Sequence, residues 1–211
     1  MLFESNDPPA IPLWVNGHAF LTMAPAFLDV CCSADGRVLR RTPLCAGDIA
    51  GTVVDVAMRA GVGWRALAGV ERGNFCFRLA GEVARYFDHV SRLIVDETGK
   101  SVAEAGAEVD AVLRLLREAG GFSATKESAV VAIICDASAT LDGPLQAAVI
   151  ALVGGATVIM KPDPASPSAL VALGELTGRC GFPPGVFNVV HGGADVVSGL
   201  RELPDVEVTF I

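Results

Sequence analysis

Six cysteines, one lysine that closes an apolar run and one pair of glycines can do chemistry in this sequence. The cysteines are Cys31, Cys32, Cys45, Cys76, Cys135 and Cys180. No two form a Cys-x-x-Cys pair, so the spacing offers neither a zinc site nor a redox dithiol, and no metal is expected. Most are expected to be small buried apolar residues, which suits a reducing compartment. A reactive thiol needs an accessible, electropositive setting. Cys135 and Cys180 instead sit in or beside expected core elements. Lys161-Pro162 follows the apolar run Ala156 to Met160. If that run is a strand of a parallel sheet, its end lies at the carboxyl edge, where open α/β sheets bind ligands. The ammonium can there donate to ribose hydroxyls or to a phosphate. The plain alternative is a surface lysine at a strand end. Gly192-Gly193 is a weak dinucleotide signal by itself, since glycines form turns just as often.

The 211 residues are 52% hydrophobic and 19% charged, with a formal net charge of −8. There is ample material for a core, and the low charge content hints at surface covered by something else. No basic footprint for nucleic acid is visible. Arg40-Arg41 is expected to be a pair of solvated loop charges. The first twelve residues lack the basic start and apolar centre of a signal peptide. The longest apolar run, Ala147 to Met160, is too short to span a bilayer and is broken by Gly154-Gly155. These features point to a cytoplasmic protein.

Periodicity places the elements. Residues 1–45 are expected to hold short strands, with a tight hairpin turn at Asn16-Gly17 and another turn at Asp35-Gly36. Residues 46–127 are expected to be helical. Asp48 is a candidate cap for a first helix that ends near Gly61, and Glu71 opens a second. Phe75, Leu79, Val83 and Phe87 recur at helical spacing. A third helix ends at Gly99 and a fourth runs from Ser101 to Glu118. Residues 128–211 alternate strands with helices, in the order β-α-β-α-β-α-β. Ser166-Pro167 suits the cap and first position of one of these helices. The expected fold is α/β, a parallel doubly wound, Rossmann-like sheet preceded by an N-terminal β-hairpin and a helical segment.

Several segments then resemble the cofactor-binding part of the aldehyde dehydrogenase superfamily. They are Trp14-Val-Asn-Gly17, Asp35-Gly-Arg-Val38, Trp64-Arg65, Glu71-Arg72, Glu97-Thr-Gly-Lys100, Gly155-Ala-Thr-Val-Ile-Met-Lys-Pro162, Ser166-Pro167 and Gly181-Phe-Pro-Pro-Gly-Val-Phe-Asn-Val-Val190. They occur in the family's order from about Leu13 to Phe210. The resemblance implies an NAD or NADP cofactor held by Ile134, Cys135, Lys161, Pro162, Gly192 and Gly193, with Lys161 on the adenosine ribose. It also implies that the catalytic cysteine, the general-base glutamate and the Gly-Ser pyrophosphate turn belong to segments beyond residue 211, so that no cysteine here is the nucleophile.

The resemblance fails at three places inside the shared region. The family's oxyanion asparagine falls on Ser138, within Asp136-Ala-Ser-Ala139. Losing an oxyanion donor costs roughly 10²–10³ in turnover. The family's ribose carboxylate falls on Pro164, with Asp163 as its neighbour. Ala194 stands where a further glycine is usual, and its methyl can crowd the approach of an adenine. Three readings follow. One is an aldehyde-dehydrogenase-like binding or structural module, not catalytic alone, docking on itself or on a full-length dehydrogenase subunit. A second is an N-terminal fragment of an active enzyme oxidising an aldehyde to a carboxylic acid. A third is a compact NAD-binding regulator. The chain's own enzymatic status stays open at this point.

Overall fold

The computed structural model describes residues 8–122 and 127–211. The chain opens with an antiparallel hairpin, β1 (Leu13–Val15) and β2 (His18–Phe20). Its turn residues Asn16 and Gly17 have φ of 55° and 78°. Two left-handed residues in succession give the turn whose twist matches a two-residue hairpin. A Cβ on Gly17 would also lie 3.2 Å from Pro184. A second antiparallel pair, β3 (Ala26–Cys31) and β4 (Val38–Leu44), forms a separate two-stranded sheet. Arg40 and Arg41 belong to β4 and are not loop charges. Arg40 pairs with Glu97 at 3.4 Å and Arg41 with Asp29 at 3.3 Å.

Four helices follow, α1 (Asp48–Ala66), α2 (Gly69–Arg85), α3 (Phe87–Thr98) and α4 (Val102–Glu118). The remainder alternates, β5 (Val130–Ile134), α5 (Asp142–Gly154), β6 (Thr157–Lys161), α6 (Ser168–Arg179), β7 (Phe187–Val189), α7 (Ala194–Glu202) and β8 (Val206–Phe210). The main sheet has the order β2-β1-β7-β6-β5-β8. Strands β5 to β8 are parallel, and β1 joins antiparallel to β7. From β5 the chain steps outward to β6 and β7, then returns to β5's other side as β8. The winding therefore reverses between β5 and β8.

Side chains of β5 and β6 alternate between two cores, as strand geometry requires. Val131, Ile133, Val158 and Met160 face one core with α2 to α6. Val130, Ala132, Ile134 and Ile159 face the other with α1 and α7. Helices thus cover both faces, and the doubly wound α/β expectation is met.

The differences from expectation are at helix ends. Helix α1 runs through Gly61 to Ala66, because Trp64 in its last turn is anchored by Nε1 donating to Leu152 O at 2.9 Å. Trp64 is further packed by Phe75 and Phe182 at 5.2 and 5.8 Å between ring centroids. Its N-cap is Gly47, not Asp48. A Cβ on Gly47 would stand 3.0 Å from Asp195 O, so the start of α1 rests on α7. Helix α6 begins at Ser168 rather than at the Ser166-Pro167 pair. The Ser168 N–H donates to Glu97 Oε2 at 3.0 Å, so its cap comes from α3. Helix α4 does carry a local capping box, Ser101 with Glu104.

Candidate functional site at the carboxyl edge of the sheet

The point where winding reverses, at the carboxyl ends of β5 and β8, is where open α/β sheets form a crevice. Ile134, the last residue of β5, is in register with Lys161, the last of β6. The Cys135 N–H donates to Lys161 O at 3.0 Å, which fixes the two strand ends against each other. Lys161 is 6% exposed, and burial lowers its pKa below the usual lysine value, opposed by the nearby Asp163 carboxylate. Its ammonium has no hydrogen-bond or ion-pair partner among the described residues. A desolvated ammonium without an acceptor can donate to an incoming hydroxyl or phosphate oxygen.

Around it the loop after β6 is closed on itself. Asp163 Oδ1 accepts from Ala165 N at 2.8 Å, and Pro164 O accepts from Thr42 Oγ1 of β4 at 2.6 Å. Pro162 is buried. Ile134 turns into the core beside α1.

Cys135 is buried in the opposite core, and burial pushes its thiol up to about 12. Such a thiol is protonated at neutral pH, the wrong state for a nucleophile. Cys76 is likewise pushed up to about 12 and Cys180 to about 11. Five of the six thiols are buried; Cys31 is exposed.

Beyond Cys135, Asp136 to Ser138 are exposed. Asp136 Oδ1 accepts from Ser138 N at 2.8 Å, Ser138 Oγ at 2.7 Å and Ala139 N at 3.2 Å. These bonds hold the Asp136 carboxyl below the usual carboxylate range. The Ser138 hydroxyl hydrogen is therefore committed to a neighbour in sequence.

At the end of β7, Gly192 is enclosed, and a Cβ there would lie 2.3 Å from Val196 Cγ2 and 3.1 Å from Cys45 O. Its glycine is needed for packing α7. Gly193 has open space where a Cβ would be, and Ala194 is exposed. The edge thus brings Ile134, Cys135, Lys161 and Pro162 together. Gly192 and Gly193 follow β7, next in the sheet order.

Sequence reasoning missed His191, just before Gly192. It is fully buried, and its Nε2 lies 3.1 Å from Pro12 O. Burial brings it down to about 4, with a further push from Lys161. A histidine directly before a glycine pair at a strand end was the available signal.

Two of the family-like motifs hold the frame around this edge. In Glu97-Thr-Gly-Lys100, Glu97 caps α6 and pairs with Arg40, and Thr98 Oγ1 donates to Ile94 O at 2.6 Å. Gly99 takes φ of 75° to end α3. The Lys100 ammonium donates to Glu108 and to Thr140 Oγ1, and Thr140 donates to Glu108 Oε2 at 2.6 Å. Asn188 ties β7 to the first hairpin, accepting from Asn16 N at 3.2 Å and donating to Gly185 O at 2.7 Å.

The aldehyde dehydrogenase family matches residues 21–211. The chain belongs to the aldehyde dehydrogenase family. The NADP-dependent succinate-semialdehyde dehydrogenase of Escherichia coli is 32% identical over 202 residues, covering 87% of this chain and 42% of that protein. Lactaldehyde dehydrogenase from Escherichia coli superposes with a TM-score of 0.89 at 24% identity, covering 97% of this chain and 47% of its own. Aldehyde dehydrogenase C from Pseudomonas syringae, in a structure holding NAD+ and octanal, superposes at 0.87 with 23% identity, covering 97% and 46%. The chain spans less than half the length of the curated relatives it matches. Among the described residues no helix is long and apolar enough to cross a membrane, and no cluster of three metal-ligating side chains occurs.

Proposed function

We propose that this chain is an aldehyde-dehydrogenase-like module that does not oxidise aldehydes by itself. It acts through binding, holding NAD or NADP weakly at Lys161 and associating with a second copy or with a dehydrogenase subunit. The observation that carries this is the commitment of Ser138 to Asp136. At the place that the resemblance gives to the oxyanion donor, the hydroxyl hydrogen points to a carboxylate and is not offered to substrate. The buried, protonated Cys135 supports the same reading.

The residues fit the adenosine end of a dinucleotide better than its reactive end. Lys161 supplies a desolvated donor, and Gly193 leaves open surface beside it in the sheet order. Asp163 and Pro164 are engaged within their own loop and with β4, so they hold a ribose poorly. A bound dinucleotide would supply hydride acceptance.

Two measurements test this. The purified chain, given aldehyde and NAD or NADP, should produce no reduced cofactor, and saturable turnover would overturn the reading. Titration calorimetry should show cofactor binding that Lys161→Ala weakens by roughly tenfold or more, the worth of one charge-assisted hydrogen bond. Equal affinity in the variant would remove Lys161 from the site.

The second reading is an N-terminal part of an active NAD(P)-dependent dehydrogenase. Its supporting observation is the match to less than half the length of whole aldehyde dehydrogenases, with Lys161, unpartnered among the described residues, kept at the carboxyl edge. Under this reading, DNA following the Ile211 codon continues in frame into a Gly-Ser turn and a catalytic cysteine segment.

A further inference from the structure

We propose that the cleft between α3 and the first turn of α4 binds a small aromatic amine that carries a hydrogen-bonding group at its far end. The cleft has a volume of about 370 Å³ and is lined by Phe87, Ser91 and Val95 of α3 and by Val102 of α4. Small-molecule sites begin at about 300 Å³. At one end the two helices touch, where a Cβ on Gly106 of α4 would lie 3.6 Å from Phe87 Cζ. At the other end the chain turns back at Gly99, with φ of 75°, and α4 starts at its Ser101 cap.

Ser91 forms the floor. It is 6% exposed, and its Oγ has no hydrogen-bond partner among the described residues. A helical hydroxyl can donate to the carbonyl one turn back. Thr98 of the same helix does so, to Ile94 O at 2.6 Å, and Ser91 does not. A buried hydroxyl left unbonded is unfavourable, and the cleft is the space from which a partner can come. Phe87, Val95 and Val102 supply an apolar wall for a ring. The rim is the next row of α3, Asp88, Arg92 and Asp96. These stand four residues apart in turn, where opposite charges commonly pair. None of the three side chains has a hydrogen-bond or ion-pair partner among the described residues. Asp88 and Asp96 are half-buried and Arg92 is exposed. Two carboxylates partly withdrawn from water outweigh one solvated guanidinium, so the rim favours an ammonium over an anion.

The test titrates the full chain with tyramine, followed through the methyl signals of Val95 and Val102 by NMR. Both should shift saturably at millimolar concentration or below, and no saturable shift overturns the proposal. Ser91→Ala should weaken tyramine about fivefold, the worth of one hydrogen bond, and leave 2-phenylethylamine, which lacks the phenol hydroxyl, unchanged. Equal effects on the two amines, or none on either, would take Ser91 out of the site. The same substitution should not lower the melting temperature, because it removes a hydroxyl that bonds nothing; a lower one would mean that the hydroxyl has a structural partner. Asp88→Asn combined with Asp96→Asn should weaken both amines, and 3-(4-hydroxyphenyl)propanoate should bind less tightly than tyramine. The opposite result in either case overturns the charge assignment. Val102 is 74% exposed, so Val102→Trp should fold normally and block the cleft. Undiminished tyramine binding in that variant also overturns the proposal. Lys161→Ala should leave tyramine binding as it is, which separates this site from cofactor binding at the carboxyl edge; a loss there would move the amine to that edge.

Discussion

Burial drives Lys161 and Cys135 in opposite directions on the pKa scale and toward the same outcome, the neutral form. The two are joined through backbone at the strand ends, where the Cys135 N–H donates to Lys161 O. One consequence is measurable. At neutral pH an alkylating reagent should modify Cys31 quickly, while Cys76 and Cys135 should react only after unfolding. Mass spectrometry of the labelled sites reads this, and fast labelling of Cys135 in the native protein would contradict the burial argument. At this scale the sequence showed which residue types stand at the edge, because strand ends in a doubly wound sheet are set by hydrophobic runs. It did not show what they bond to. Ser138 was legible as a replacement, but its engagement with Asp136 depends on a turn conformation that no spacing encodes. His191 was marked only by its place before a glycine pair, and its bond was not legible, since its partner Pro12 lies 179 positions away.

Elements in this fold are ended by one another more than by their own termini. The C-terminal end of α5 is closed by α1 and α2, through Trp64 on Leu152 O and Arg72 Nε on Val153 O at 2.8 Å. Arg78 of α2 also closes α6, donating to Cys180 O at 3.0 Å. Such caps explain why α1 passes Gly61 and why α6 ignores Ser166. A local pattern of caps and glycines cannot report a partner from another helix. The periodic interiors, by contrast, were legible, because they depend only on which face meets the core. Glycines inside helices separate the two kinds of information. A Cβ on Gly174 of α6 would lie 2.9 Å from the Trp14 ring, and Gly178, one turn later, also faces that ring at 2.9 Å. Together they form the notch that seats β1. Gly81 of α2 has nothing within 4 Å of the corresponding position. Alanine raises helix propensity by about 1 kcal/mol at either site. Overpacking against Trp14 costs about 1–3 kcal/mol. Gly81→Ala should therefore raise the melting temperature and Gly174→Ala should lower it. Thermal denaturation followed by circular dichroism checks both signs, and stabilisation by Gly174→Ala would show that Trp14 is not held in the notch.

The whole molecule is closed by contacts between distant parts of the chain, and His191 is the most pH-sensitive of them. The Pro12 carbonyl can only accept, so His191 Nε2 carries the hydrogen and donates. Nδ1 is then a buried lone pair with no partner among the described residues. Protonating it would place a second cation near Lys161 with nothing to receive its hydrogen, in keeping with a value brought down to about 4. The unfolded histidine titrates near 6.5. Between those values the unfolded chain binds a proton that the folded chain does not, so stability falls as pH falls through this window. The ideal loss is about 2 kcal/mol between pH 7 and pH 5, from 1.36 kcal/mol per pKa unit. Glu97 acts in the opposite sense, because burial raises its carboxyl and its contribution is lost as pH rises through the folded value. That offset is shared by the wild type and a His191 variant, so it cancels in their comparison. His191→Gln keeps a donor for Pro12 O but cannot take the extra proton. Urea midpoints at pH 7 and pH 5 should drop for the wild type by the equivalent of about 2 kcal/mol more than for the variant. Equal drops in the two proteins would mean that the join between the first strand and the sheet edge opens to water before His191 is protonated.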